Sequence, residues 1–249
     1  RSNWFTEFNK PELSLVRVFW KPDMSRKKTP EQAWAEDIRD GVKRFYDRGA
    51  RDFEVHNEPR LHHEGFGHQW HNGAEFGDFL LGLMRQIKAN CPEARLWYPG
   101  ESPGVPWTDQ FLISRPAFQK VAGMLSGICM HAYSGITNNA EAAANEIANQ
   151  ARAYRDALYN NGQNPEVWRL PIIVSECSVN RAPANAGDAY AAYRADVYKR
   201  TAGKLRQIPG VKGAFWYTSH WNPPPNEVAN QESWHGTSLP DTYKRVMGR

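Results

Sequence analysis

The chain has 249 residues, 41% of them hydrophobic, and a formal net charge of +4 at pH 7. This length allows a proper hydrophobic core, and no apolar run approaches the length of a membrane span, so we expect a globular domain outside the membrane. The basic residues are scattered along the sequence, which argues against a nucleic-acid-binding face, where they would cluster. The positive charge is still compatible with a mildly anionic polysaccharide as a partner.

The cysteines and the start of the chain bear on the cellular compartment of the protein. Cys91, Cys129 and Cys177 are an odd number with no metal-binding spacing, which predicts reduced residues in the core. The start, from Arg1 to Trp4, lacks a signal peptide, so secreted and cytoplasmic locations both stay open.

Apolar, strand-like runs recur along the whole chain with helical patterns between them. The runs lie near residues 14–20, 52–57, 94–99, 127–132, 171–176 and 212–218, and helical patterns cover roughly 74–90, 139–160 and 187–207. Residues 114–125 give no clear pattern. The alternation predicts an α/β fold of parallel βαβ units, and we interpret residues 1–249 as a single domain.

The first predicted helix carries strong boundary signals. Thr29 and Gln32 form a capping box, Pro30 suits the first helical position, and Gly49 can end the helix in a left-handed conformation. One apolar stripe between these signals would face the core, formed by Trp34, Ile38, Val42 and Phe45.

Two acidic residues each end an apolar run. Glu58 follows the run at 52–57 and Glu176 ends the run at 171–176, three strands further along. In a closed (β/α) barrel, both carboxylates would lie at the mouth formed by the carboxyl ends of the strands, where active sites are built. Such a pair is typical of glycosidic bond cleavage. The alternative is two ordinary strand ends with solvated glutamates.

Four motifs in order carry a family resemblance. They are Val-His-Asn-Glu-Pro at 55–59, Met-His-Ala-Tyr at 130–133, Ile-Val-Ser-Glu at 173–176 and Ala-Phe-Trp at 214–216. Together they resemble the retaining glycoside hydrolases of clan A, which are TIM-barrel glycosidases such as cellulases, xylosidases and mannanases. The resemblance implies that Glu58 is the acid/base on barrel strand four and that Glu176 is the nucleophile on strand seven.

The same resemblance implies roles for the neighbouring residues. Asn57 would contact the sugar 2-hydroxyl, Tyr133 would orient Glu176, and His131 would lie beside it. Arg17 is a candidate for a place near the nucleophile, because many clan members carry a strand-borne arginine there. No cofactor is implied, and the expected partner is a carbohydrate.

Aromatic residues add a carbohydrate signal. The chain has ten tryptophans, and flat rings match the apolar faces of pyranoses. Trp216 ends a predicted strand and is expected to stack beneath the sugar, as the resemblance implies for strand eight. Trp20 and Trp221 are further candidates for substrate binding. The alternative for each is packing between helices and sheet.

The strand count departs from the family pattern. About 40 residues per unit leaves room for six strand and helix pairs, whereas a barrel closes with eight. The run at 14–20 would then be strand three, and the first two β/α units would be lacking from this chain. Open sheet edges would result, which favours self-association through them, completion by another chain, or a longer native chain. Residues 222–240 read as a long loop over the mouth.

Two other functions remain open. Five histidines occur within residues 56–71 and could ligate a metal beside Glu58 or Glu64, which would make the protein a metal-dependent hydrolase. No zinc signature is present, so we expect no metal site. A carbohydrate-binding barrel without turnover is the second alternative, and the missing strands favour it. The histidines of the cluster are His56, His62, His63, His68 and His71.

Overall fold

The computed structural model describes residues 14–20, 22, 24–103, 115–159, 165–179 and 188–216. The chain divides into two compact units. The first, here called the first unit, comprises the described parts of 1–129 and 160–170, and the second unit comprises those of 130–159 and 171–249. The single-domain interpretation extends over residues outside the described ranges and stays a prediction.

Six strands are found in the described residues, and each coincides with a predicted apolar run. They form a sheet in the chain order β1-β2-β3-β4-β5-β6, in which β1 pairs with β2, β2 with β3, β3 with β4 and β5 with β6, all in parallel. The prediction of parallel βαβ units is therefore confirmed. The strands are β1 Leu15–Val18, β2 Asp52–Val55, β3 Arg95–Tyr98, β4 Leu125–Ser134, β5 Ile172–Val179 and β6 Val211–Trp216.

Helices connect these strands. Within the first unit, α1 is followed directly by a π-helical segment and then by α2, which together make one continuous connection. Residues 115–121, for which no clear pattern was predicted, are helical and are labelled α4. The other bounds are α1 Pro30–Ala33, the π-helix Trp34–Ile38, α2 Arg39–Asp47, α3 Gly73–Asn90, α5 Ala140–Tyr159 and α6 Asp188–Leu205.

The first helical connection begins and ends as the sequence predicts. The Gln32 amide donates a hydrogen bond to the Thr29 hydroxyl, and the Thr29 amide donates one to the Gln32 side-chain oxygen. Pro30 lies in the first turn of the helix. Gly49 ends the connection with φ 101°, a conformation that glycine adopts without a Cβ clash. Trp34, Ile38 and Val42 of the predicted stripe are buried, as amphipathic spacing requires.

The core of the first unit lies beneath β1, β2 and β3. Phe53, Val55 and Leu96 are fully buried, because alternate side chains of each strand point to the same face of the sheet. An aromatic cluster continues this core: the rings of Trp70 and Phe79 lie 5.3 Å apart, and Trp70 is fully buried. This cluster supports the loop that follows β2.

The second unit joins α5, α6, β5 and β6. Ile173 and Val174 pair in parallel with Gly213 and Ala214. Behind this sheet, the buried guanidinium of Arg194 donates to the Tyr198 hydroxyl at 2.7 Å. A buried charge needs such partners, because its transfer from water is otherwise very costly.

Three further sequence predictions concern the cysteines, membrane-spanning helices and the edges of the sheet. The three cysteines are buried and unpaired by disulfides, as expected, and burial raises the pKa of the Cys177 thiol. Within the described ranges, no helix is both long and apolar enough to cross a membrane. Strands β1 and β6 end the described sheet order, and self-association through such edges stays a prediction.

Candidate active site

The backbone that carries Glu58 is held by main-chain hydrogen bonds. Strand β2 ends at Val55, and His56 and Glu58 then adopt positive φ angles of 82° and 29°. The Glu58 amide donates to the Gly100 carbonyl at 3.0 Å, and the Leu61 amide donates to the Glu58 carbonyl at 2.9 Å. Positive φ is uncommon for residues other than glycine and is retained where the surrounding structure imposes it, often at functional sites.

Gly100 is itself anchored by a buried acid. Glu54, 1% exposed, accepts from the Gly100 amide at 3.1 Å and from Arg17 Nε at 2.9 Å. A chain of hydrogen bonds therefore leads from Arg17 through Glu54 and Gly100 to the backbone of Glu58. Arg17 had been a candidate for a place near the nucleophile, and its described ion pair is with Glu54.

Asn57 is held by a second buried acid. Its side-chain nitrogen donates to Glu64 Oε1 at 3.0 Å, and Asn57 and Glu64 are 7% and 3% exposed. The Glu64 carbonyl accepts from His56 Nε2 at 3.0 Å, which fixes His56 as the tautomer protonated at Nε2. Burial lowers the pKa of His56 to about 4, so its ring is neutral at pH 7.

Glu176 lies in β5 of the second unit and is only 8% exposed. The Tyr133 hydroxyl donates to Glu176 Oε2 at 2.5 Å, and Nδ1 of the fully buried His131 side chain lies 3.7 Å from the same oxygen. Gln150 of α5 holds Tyr133 in turn, because it accepts from the Tyr133 amide at 2.9 Å and donates to the Tyr133 carbonyl at 2.8 Å. Tyr133 and His131, both in the last four residues of β4, thus converge on one carboxylate oxygen.

This arrangement suits a carboxylate that must attack in a fixed direction. Charge-assisted hydrogen bonds are shorter and stronger than neutral ones, so Tyr133 restricts the rotation of Glu176. A rigidly held and nearly dry carboxylate is what covalent catalysis by an acid requires. The structure places Tyr133 and His131 at Glu176, as the sequence predicts, and their roles in binding a substrate stay predictions.

The tryptophan candidates lie in different surroundings. Trp20 is 2% exposed, stacks on Phe79 at 5.0 Å between ring centroids and donates to Asp37 at 2.8 Å. Trp216 stacks on Tyr198 of α6 at 4.5 Å. Trp20 is therefore enclosed by packing contacts, whereas Trp216 is only half-buried, and the predicted roles of both residues in substrate binding stay predictions. Trp221 and the predicted loop at 222–240 lie outside the described residues.

The histidine cluster is dispersed in the structure. His56 is fully buried, whereas the side chain of His63 is 68% exposed. In the part of the chain that the structure describes, the five histidines of 56–71 do not assemble into a group of three metal ligands. The metallohydrolase alternative therefore gains no support from this segment.

Sequence reasoning missed the buried acids around Glu58. Glu54 lies within the quoted strand and Glu101 follows β3, yet neither was singled out, and both are at most 2% exposed. Glu64 was considered only as a metal ligand. An acid in the middle of an apolar run, as Glu54 is, was the available signal, because buried acids need a specific partner.

Comparisons with known proteins bear on the fold. No protein-family model matches the chain, and no curated protein matches it. A GH128 (subgroup II) endo-β-1,3-glucanase from Sorangium cellulosum is 17% identical with a TM-score of 0.57, over 82% of this chain and 74% of the glucanase. A monomeric β-xylosidase from Caulobacter crescentus is 16% identical with a TM-score of 0.59, over 94% of this chain and 52% of the xylosidase.

A third similar structure contains a sugar. It is a GH128 (subgroup I) endo-β-1,3-glucanase from Amycolatopsis mediterranei in complex with laminaritriose, 20% identical with a TM-score of 0.50, over 83% of this chain and 76% of that glucanase. These structures are clan A glycoside hydrolases, so the predicted resemblance is confirmed at the level of the fold. The fold class is that of a TIM barrel, of which the described residues supply six parallel strands.

Proposed function

We propose that this protein is a retaining glycoside hydrolase that cleaves β-glycosidic bonds of a polysaccharide or oligosaccharide. The observation that carries the proposal is the Tyr133 hydroxyl, which donates at 2.5 Å to the buried carboxylate of Glu176. A solvated strand-end glutamate, the alternative from the sequence, would not be held in this way. The fold shared with glycoside hydrolases supports the same reaction class by analogy.

The proposed reaction has two displacements. Glu176 attacks the anomeric carbon, the bond from that carbon to the leaving oxygen breaks, and Glu58 gives its proton to that oxygen. Glu58 then takes a proton from water, the water oxygen attacks the anomeric carbon, and the ester to Glu176 breaks. Each step inverts the anomeric centre, so the product retains the original configuration. The mechanism needs no cofactor.

The substrate class follows from the similar structures. Two of them are endo-β-1,3-glucanases and one is a β-xylosidase, so we propose a β-linked glucan or xylan fragment as the first substrates to test. Glucose and xylose share equatorial hydroxyls at carbons 2 and 3, which the same amide and carboxylate groups could contact.

Hydrolysis of a panel of dinitrophenyl β-glycosides and of β-1,3-glucan, xylan and mannan tests the activity. A 2-deoxy-2-fluoro glycoside with a good leaving group then tests the mechanism, because fluorine slows the second step and lets the glycosyl-enzyme accumulate. Mass spectrometry of the digested protein is expected to find the sugar on the peptide that contains Glu176. Glu176→Gln is expected to prevent this adduct, and Glu141→Gln, at an exposed glutamate, serves as the control that leaves activity intact.

Two results would count against the proposal. Turnover with inversion and no adduct would indicate an inverting mechanism. No turnover of any substrate, together with measurable binding of oligosaccharides, would indicate the carbohydrate-binding barrel that the sequence left as an alternative.

A further inference from the structure

The orientation of the Asn57 amide is fixed by a neighbouring acid. Its nitrogen donates to Glu64 Oε1 at 3.0 Å, and an ionised carboxylate can only accept hydrogen bonds. The opposite orientation would place the amide oxygen against the carboxylate oxygen, where two acceptors repel each other. Asn57 therefore turns its oxygen, and not its nitrogen, away from Glu64.

That oxygen is buried without a partner. Among the residues that the structure describes, no donor reaches Asn57 Oδ1, and Asn57 is only 7% exposed. A buried carbonyl that lacks a hydrogen bond destabilises the folded state, and native structures rarely keep one without a function. A ligand hydroxyl that donates to this oxygen would remove the penalty.

Glu64 is built into a short and well-anchored turn. It ends the 3-10 helix His62–Glu64, its amide donates to the Leu61 carbonyl at 3.0 Å, and its carbonyl accepts from the buried His56 ring at 3.0 Å. The side chain is 4% exposed, and Nε2 of the exposed His63 lies 3.8 Å from the same Oε1. The turn therefore holds the Glu64 carboxylate where Asn57 needs an acceptor.

We infer that Glu64 is a positioning residue that makes Asn57 a hydrogen-bond acceptor for the substrate. The sugar 2-hydroxyl, which the family resemblance assigns to Asn57, must then donate a hydrogen bond to Asn57 Oδ1. The inference rests on the proposed function and refines it: substrates that carry a donor at carbon 2 are preferred, and groups that only accept are not recognised by Asn57.

The polarity of the contact is tested with two dinitrophenyl glycosides that differ at carbon 2. One carries a hydroxyl and the other carries fluorine, which accepts weakly but cannot donate. Asn57→Ala is expected to lower the glycosylation rate of the hydroxyl substrate about tenfold to a hundredfold and to leave the rate of the fluoro substrate within about twofold. Equal losses on both substrates would overturn the inference. The intrinsic effect of fluorine cancels, since each substrate is compared between wild type and variant.

The role of Glu64 is tested with three substitutions at that position. Glu64→Ala and the volume-matched Glu64→Met remove the acceptor, so both are expected to reduce the preference for the hydroxyl over the fluoro substrate as far as Asn57→Ala does. Glu64→Gln can still accept through its amide oxygen and is expected to keep most of the preference. An unchanged preference in a folded Glu64→Met variant, with both rates lowered equally, would overturn the positioning role.

The experiments distinguish a wrong function from a wrong role for Glu64. Wild-type protein that turns over no β-glycoside would reject the glycosidase, whereas active wild type with an unchanged preference in the variants would reject only the role of Glu64. Circular dichroism and thermal unfolding identify any variant that does not fold. In that event the wild type and Asn57→Ala still decide the polarity of the contact.

Discussion

The two candidate catalytic glutamates are held in different ways. In the first unit, the backbone of Glu58 is fixed by main-chain hydrogen bonds to Gly100 and Leu61 and by positive φ angles. In the second unit, the Glu176 side chain accepts a hydrogen bond from the Tyr133 hydroxyl, and its backbone lies within β5, whose pairing with β6 shifts register between Val174 and Cys177. One region thus fixes where the chain runs, and the other fixes where a carboxylate oxygen points.

This difference matches the two proposed roles. A nucleophile must keep one oxygen in line with the anomeric carbon, and a donor to its other oxygen helps to prevent rotation. An acid/base must give up and recover a proton at one place beside the leaving oxygen, so it needs a backbone that holds it there.

The largest expected effects are losses of turnover on substitution of the two glutamates, and they differ between the two positions. Glu176→Gly is expected to lower turnover on the order of 10⁴-fold or more, because no covalent intermediate can form. Glu58→Ala is expected to lower it about 10²–10⁴-fold on substrates with poor leaving groups, because the proton donor is lost. Good leaving groups should still be displaced by Glu176, and the glycosyl-enzyme should then accumulate.

Azide distinguishes the two variants by stereochemistry. In Glu176→Gly, azide takes the place of the nucleophile and gives an inverted glycosyl azide. In Glu58→Ala, azide attacks the glycosyl-enzyme and gives a retained product. Proton NMR of the anomeric signal assigns each product. The reverse pairing would mean that the roles are exchanged, and full activity in both variants would place the chemistry elsewhere.

A second prediction concerns the loop that carries Glu58. It is tested through the pH dependence that the buried His56 gives to the stability of the protein. Burial lowers the pKa of His56 from 6.5 to about 4, so between these pH values the unfolded chain binds a proton that the folded chain does not. The stabilisation is complete above pH 6.5 and decreases as the pH falls toward 4, by about 3 kcal/mol. Urea unfolding from pH 7 to pH 4 measures this loss.

His56→Asn provides the comparison. Asparagine tolerates a positive φ and does not titrate, so this variant should lack the part of the pH dependence that His56 causes. The free energy of unfolding of wild type should therefore fall more steeply than that of the variant between pH 6.5 and 4. Parallel curves would show that His56 is not buried as the neutral ring.

A third prediction tests the hydrogen bond that Tyr133 donates to Glu176. Tyr133→Phe removes the hydroxyl that donates to Glu176 and is expected to lower kcat/KM about tenfold to a hundredfold. Tyr193→Phe is the matched control, because its hydroxyl donates to the Ile136 carbonyl in the same unit and not to an acid. Equal activity of the two variants would show that the Tyr133 contact does not orient the reacting carboxylate.

The sequence located both glutamates but not what holds them, and β5 continues to Val179, beyond the end that the sequence predicted at Glu176. Apolar runs and capping signals predicted the six strands and the first helix, since these depend on local patterns. The motif at 130–133 predicted Tyr133 beside Glu176. The positive φ of His56 and the burial of Glu64 were not predictable, because both depend on how the loop after β2 folds back on itself. The stacking of Trp216 on Tyr198 likewise depends on how α6 packs against β6, which no local pattern encodes.

The smallest expected effect is that of metal removal. We expect unchanged kcat/KM after exhaustive dialysis against a chelator, because two carboxylates suffice for the double displacement. The test remains informative, since Glu58, Glu176 and His131 are side chains of the types that bind divalent cations. A chelator-treated sample to which zinc, manganese or calcium is restored serves as the control. Activity lost with the chelator and recovered with one metal would favour a metal-dependent hydrolase, and the Tyr133 contact would then orient a metal ligand instead of a nucleophile.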